Sequence, residues 1–296
     1  MKNILIIGAN GFTGRRILND LSVNPIYHVT GCSLRDDICP GKDYRFVRTD
    51  IRDENEVRKL FKECRPDIVI NTSALSVPDY CETHHAEAEA TNVTAVETIA
   101  HVCEQYGSRF IHLSTDFVFD GKSTRLYKEE DEAIPVNYYG VTKLKAEKII
   151  ASICSNYAIV RVVVVYGKAL PGQHGNILQL VANRLRNGET IRVVSDQWRT
   201  PTFVGDISVG VEKLMFHTAN GIYHICGSEC LTIAEIAYRV ADFLKLDRSL
   251  IEPVTTEEMK ETTPRPRFSG LSIEKAKAEI GYTPRTLEEG MEASLL

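Results

Sequence analysis

A tyrosine and a lysine stand four positions apart in Tyr139-Gly-Val-Thr-Lys143. On a helix that spacing puts both side chains on one face. A free phenol titrates near pH ~10, so it needs a neighbouring cation before it exchanges protons near neutrality, and Lys143 supplies one. Ahead of the pair runs Ile111-His-Leu-Ser114-Thr115-Asp116-Phe-Val-Phe-Asp-Gly121. A hydroxyl at the C-terminal edge of a central strand is well placed to hydrogen-bond a substrate carbonyl beside the tyrosine.

A different chemistry is written nearer the N-terminus, where Ile4 to Ile7 lead directly into Gly8-Ala-Asn10-Gly11-Phe12-Thr13-Gly14. Glycines after a buried strand let the backbone approach a pyrophosphate and aim N–H groups and a helix N-terminus at its charge. The spacing is Gly-x-x-Gly-x-x-Gly rather than Gly-x-Gly-x-x-Gly, and the following helix is expected from Arg15. Further on, Cys32-Ser33-Leu34-Arg35 occupies the place where a binder of the ribose 2′-hydroxyl carries Asp or Glu. Ser33 can donate a hydrogen bond and Arg35 can face a 2′-phosphate, which favours NADP(H) and leaves NAD(H) open. Asp50-Ile51 is placed to hold the adenine edge, although Asp50 serves equally well as a local turn acceptor.

These groups need elements to hold them, and the apolar periodicity supplies them. Short runs at Ile4–Ile7, His28–Cys32, Arg45–Val47, Ile68–Ile70, Phe110–Leu113 and Ile159–Val165 read as strands, most of them apolar on both faces. Between them, Asp53-Glu-Asn-Glu56 has the form of a capping box before Val57 and Leu60. Glu87 to Tyr106 reads as one long helix closed by Gly107, and Tyr139 to Ile153 as another. Right-handed crossovers then give an α/β fold, a doubly wound parallel sheet with a smaller α/β C-terminal domain. The texture changes at the Pro/Gly loop after Gly167, so residues 1–167 form the dinucleotide-binding domain. A helix at Asp206–His217 and a strand at Gly221–Ile225 join it through 204–227. Residues 168–203 and 228–296 form the substrate domain, with an extended stretch at Thr262–Phe268 and a helical end.

The chain has 296 residues, 43% hydrophobic and 25% charged, which is globular composition and excludes fibrous or disordered classes. A formal charge of −5 gives no general pull toward nucleic acid or anionic membrane. The apolar start is too short for a signal peptide or a span, so a soluble cytoplasmic protein is expected. The 8 cysteines are scattered and read as reduced core thiols; neither Cys226/Cys230 nor His84-His85 has metal-site spacing, and no metal is expected.

The motifs Gly8–Gly14, Asn71-Thr-Ser-Ala74, Leu113–Gly121, Tyr139–Lys143, Arg161–Gly167, Asp196–Thr202 and Pro264-Arg-Pro266 resemble, across the whole chain, the extended short-chain dehydrogenase/reductase superfamily. Within it, the Ser-Thr-Asp segment ending in Val-Phe-Asp-Gly, with the later Asp-Gln and Pro-Thr pairs, resembles the dTDP-4-dehydrorhamnose reductases. The resemblance implies a Rossmann fold of the extended type and a catalytic set of Thr115, Tyr139 and Lys143. It implies NADPH-dependent reduction of a nucleotide-linked 4-keto-6-deoxyhexose, with Tyr139 as proton donor and Lys143 also holding the nicotinamide ribose. Ser73, Ala74 and Leu75 would line the cofactor. Ser76, Asp116, Gln197, Trp198 and Arg199 would contact the sugar nucleotide, Arg199 being suited to phosphate.

The aliphatic run Val162–Val165 stands where reductases of this kind carry an aromatic residue. Trp198 either replaces that ring or fills the domain interface. Sugar-nucleotide dehydratases carry Glu after the strand-end Asp, where this chain has Phe117. An NAD-dependent epimerase and a non-catalytic NADP-binding subunit like methionine adenosyltransferase beta remain as alternatives. A homodimer stays open.

Overall fold

Runs of Ile, Leu and Val without polar alternation are stable as strands where both faces are covered. The chain meets that condition by winding helices over both sides of a parallel sheet. The structure, a computed structural model, describes every residue except Lys42, His174 and Leu296, and His174 falls within the Pro/Gly loop singled out above. In chain order come β1 (Lys2–Ile7), β2 (Tyr27–Ser33), β3 (Arg45–Arg48), β4 (Ile68–Asn71), β5 (Arg109–Thr115) and β6 (Tyr157–Val162). Four short strands follow: β7 (Val165–Tyr166), β8 (Ile191–Val194), β9 (Trp198–Arg199) and β10 (Thr202–Phe203). Then β11 (Gly221–His224) returns to complete a seven-stranded sheet of order β11-β6-β5-β4-β1-β2-β3, parallel throughout. The order reverses between β1 and β4, and the crevice at their C-terminal ends is where such sheets bind ligands.

The main helices are α1 (Phe12–Ser22), α2 (Glu54–Cys64), α3 (Pro78–Thr83), α4 (His85–Glu89), α5 (Ala95–Tyr106), α6 (Tyr138–Ile153), α7 (Ile177–Arg186), α8 (Val204–Phe216) and α9 (Ile233–Leu244). One sheet face buries Leu5, Ile7, Phe110 and Ile159 under α2, α5 and α6. The other buries Ile4, Ile6, Ile68 and Val160 under α1 and α8. A third core, with Leu178, Val181, Ile236 and Val240, lies between α7 and α9 and takes in Met291 near the C-terminus.

Several local expectations are corrected. The run Ile159–Val165 is not one strand, because Val164 adopts φ 38°, a costly conformation for a β-branched residue. Thr202 holds it there: its N–H donates to the Val164 carbonyl at 3.1 Å and its hydroxyl to the Val163 carbonyl at 2.6 Å. The chain thereby leaves the sheet and pairs β7 with β10. The helix expected over Glu87–Tyr106 is interrupted by a wide π-helical turn at Ala90–Thr94. The first helix begins at Phe12, not Arg15. Asp53 caps α2 through the N–H groups of Asn55 and Glu56, but the Glu56 carboxylate accepts from the Asp50 N–H at 2.6 Å instead of closing a capping box.

Candidate functional site

The glycine segment is built for close approach. Gly8 has φ 83°, and a Cβ there would stand 2.7 Å from the Ser73 amide nitrogen. A Cβ on Gly14 would run into the Gly8 carbonyl. Gly11 is the N-cap of α1, no side chain caps that end, and its first turn carries no acid. Backbone donors at the N-terminus of α1 are therefore left for an anion at the switch point of the sheet. Thr72 closes the opposite wall by donating its hydroxyl to the Ile7 carbonyl at 2.9 Å. The residues fit a dinucleotide pyrophosphate.

Around the second strand the side chains take unexpected partners. Ser33 is half-buried and Arg35 is exposed at the end of β2. Asp37 pairs with the buried Arg15 at 2.5 Å and with the Tyr44 hydroxyl at 2.8 Å, so this acid near Arg35 is already neutralised by another arginine. Asn10 belongs to the same network, accepting from Arg15 at 2.8 Å and donating to the Asp36 carbonyl at 2.9 Å. Asp50 acts as a turn acceptor for the Arg52 N–H and forms a two-pronged pair with its guanidinium, which holds the carboxyl below its usual range. It lines a cavity of about 540 Å³ with Leu34, Val47, Arg48 and Lys59.

The chemical groups converge at the ends of β4 and β5. Thr115 closes β5, its hydroxyl accepting from the Phe117 N–H at 3.2 Å and donating to Asp116 at 3.0 Å. Asn137 caps α6 by accepting from the Gly140 N–H at 2.9 Å, which places Tyr139 and Lys143 in its first two turns. Tyr139 is partly buried; desolvation of its hydroxyl, then the Asp116 carboxylate, push its pKa above the ordinary value, while Thr115 opposes them. Lys143 is fully enclosed, and burial brings its pKa down to about 8 against the pull of Glu147. Its Nζ does not point at the phenol. It donates to the Leu113 carbonyl at 2.7 Å and lies 2.9 Å from His112 Nε2.

Of the residues expected to meet the sugar nucleotide, only Ser76 and Trp198 are exposed. Trp198 does not fill the interface: 39% exposed, it lines a surface cavity of about 360 Å³ with Asp196, Arg267 and Phe268. Arg199 is corrected most sharply. Its guanidinium donates through both terminal nitrogens to the carbonyls of Trp198, Pro266 and Arg267 and to Gln197 Oε1, with Nε 3.8 Å from Asp116, so the terminal donors are taken up inside the protein. A buried cation has to be paired in this way. Asp116 is likewise enclosed, accepting from Thr115 and Ser269, and Gln197 donates to Glu261 at 2.8 Å. These three tie the end of β5 to the segment 261–269.

Two polar residues, Asn92 and His112, were not singled out from the sequence, and Asn71 was quoted only as part of a motif. Asn92, on the inner side of the π-helical turn, accepts from the Leu75 N–H at 2.7 Å and donates to the Leu75 carbonyl and to Thr142, both at 3.0 Å. It thereby pins the loop of Ser73, Ala74 and Leu75 to α6. His112, inside a run that reads as apolar, faces Asn71 at the end of β4. An Asn within an Ala/Thr/Val-rich helix and a His within a strand were the available signals.

Comparison with known proteins places this geometry in context. The family model described as RmlD substrate binding domain matches residues 1–296. The chain is 30% identical to a probable low-salt glycan biosynthesis reductase of Haloferax volcanii, over 97% of this chain and 95% of that one. It is 31% identical to methionine adenosyltransferase 2 subunit beta of Xenopus laevis, over 96% of this chain and 84% of the relative. Among solved structures, a dTDP-4-dehydrorhamnose reductase from Bacillus anthracis in complex with NADP superposes with a TM-score of 0.87 at 27% identity, covering 100% of this chain and 99% of that one.

Proposed function

The chain belongs to the RmlD substrate-binding-domain family, and from that premise we propose that it is an NADPH-dependent reductase of a nucleotide-linked 4-keto-6-deoxyhexose. The observation that supports the reading is the Thr115 hydroxyl lying against the Tyr139 phenol, with Lys143 one turn further along α6, beside a glycine cradle that fits a pyrophosphate. Gly8, Gly11, Phe12, Thr13 and Gly14 would hold the dinucleotide phosphates, and Ser73, Ala74 and Leu75 its nicotinamide end. The bound cofactor supplies hydride to the carbonyl carbon. Thr115 turns its hydroxyl from Asp116 to the carbonyl oxygen, and Tyr139 gives its proton to that oxygen as the C=O bond becomes C–O–H. Lys143 in its charged form offsets the phenolate left behind and orients the cofactor ribose. The high phenol pKa in the chain alone suits this direction, since it keeps Tyr139 protonated until the acceptor arrives.

A second reading, a non-catalytic cofactor-binding subunit, is favoured by the likeness to methionine adenosyltransferase 2 subunit beta. The two separate in one assay of NADPH consumption against a panel of nucleotide-linked keto sugars. A reductase consumes NADPH with at least one of them; a binding subunit retains NADPH and consumes none.

A further inference from the structure

Among the described residues, a line of polar side chains runs under the active site from β4 to α6. Ser73 donates its N–H, at 3.0 Å, and its hydroxyl, at 2.6 Å, to Asn71 Oδ1. The backbone N–H can only donate, so the Asn71 amide cannot be reversed. Its NH₂ group therefore faces His112 Nδ1 at 3.2 Å. A donor facing Nδ1 makes that nitrogen the acceptor, and a neutral imidazole then carries its proton on Nε2. Nε2 lies 2.9 Å from Lys143 Nζ. An ammonium has no lone pair to receive that proton; an amine has one, and still donates to the Leu113 carbonyl.

We propose that His112 is a positioning residue for Lys143: Asn71 fixes it as the Nε2–H tautomer, and in that form it admits only the neutral amine at this spot. Every hydrogen bond in the line is satisfied with Lys143 uncharged, whereas protonation sets two donors against each other and drives Nζ away from His112. The lysine is thus parked under the site and released by taking up a proton.

The surroundings agree. Burial holds the fully enclosed His112 well below its usual pKa, so the ring stays neutral. Facing Lys143 from its own helix are Tyr139 and Glu147. Glu147 is already paired with Arg161 of β6 at 2.7 Å and accepts from Ser114 of β5 at 2.5 Å. Asp116, beyond Thr115, is tied to Ser269 and Arg199, and Cys81 of α3 lies on the Tyr139 side as a neutral thiol. Glu147, whose carboxylate favours the ammonium, is thus already shared with Arg161.

The test is Asn71→Asp, which replaces the NH₂ donor with a second acceptor of the same shape. His112 should then place its proton on Nδ1, leave Nε2 as an acceptor, and favour the Lys143 ammonium. Two-dimensional ¹⁵N NMR of the imidazole rings in the full chain should show the Nε2–H tautomer in the wild type and Nδ1–H in the variant. Lysine Nζ spectra, assigned with Lys143→Arg, should show the Lys143 midpoint rising by about one pH unit or more, toward its usual ~10.4. A purely structural His112 would keep its tautomer, and a shift caused only by the added carboxylate charge would persist when Asn71→Asp is made in a His112→Phe background, where a shift carried by the tautomer disappears. An Nδ1–H tautomer in the wild type overturns the proposal, as does an unchanged Lys143 midpoint in Asn71→Asp. The role in turnover rests on the reductase reading, but both signals are read without turnover. A chain that reduces no sugar nucleotide would therefore sink that reading and leave this result standing.

Discussion

Arg35 is exposed, and of the two acids that follow it Asp37 is drawn to Arg15 and Tyr44 while Asp36 stays exposed. That leaves the Arg35 guanidinium free to meet a 2′-phosphate. Arg35→Ala should weaken NADPH by roughly tenfold and NADH hardly at all, as one exposed charge-assisted contact is worth about 1.5 kcal/mol. Fluorescence titration with both cofactors checks it, and equal losses would remove the assignment. Tyr139, Lys143 and a strand-end hydroxyl stand out by residue type and spacing, and it is the family resemblance that names Thr115 and joins the three as the proposed catalytic set. Arg199 misled because an arginine reads as a surface cation, and nothing in its neighbours announces four buried acceptors. His112 was hidden in an apolar strand that buries every residue.

Strands β1, β4 and β5 follow from their apolar runs, α2 begins at its cap Asp53, and α5 ends at its cap Gly107. What the periodicity does not carry is tertiary restraint. Val164 is forced out of the sheet by hydrogen bonds from Thr202, far along the chain, and the π-helical turn exists to bring Asn92 against Leu75. The tie between β6 and α6 is of the same kind, an Arg161–Glu147 pair in which both side chains are at most 3% exposed. Glu147→Gln strands the arginine charge and should cost about 3–5 kcal/mol in urea unfolding, while the double change to Met at both positions should recover most of it. Equal losses in the single and double variants would mean that volume, not charge, holds the helix to the strand.

Two enclosed imidazoles set how the entire chain answers to acid. Burial, then the nearby Arg161, depress His224 to about 3, and burial depresses His112 in the same direction. An unfolded histidine titrates near ~6.5, so below that pH the unfolded chain binds more protons than the folded one. Stability should therefore decline as pH falls from about 6.5 toward 3, by up to about 1.4 kcal/mol per pH unit for each histidine. Below about 4, carboxylates held low by arginines, such as Asp131 at about 2 through Arg125, add their own loss. His224→Gln should flatten the upper part of that slope in unfolding curves recorded at stepped pH; an unchanged slope would contradict it.

The proposed function hangs on Tyr139 as the proton donor of a sugar-nucleotide reductase, and NADPH oxidation by wild type and Tyr139→Phe with a nucleotide-linked 4-keto-6-deoxyhexose tests it most directly. The wild type should consume NADPH and yield the alcohol, while the phenylalanine variant should still bind NADPH but turn over about 10² times more slowly or worse. Undiminished NADPH consumption in Tyr139→Phe, or none in the wild type across the panel of keto sugars, would contradict it.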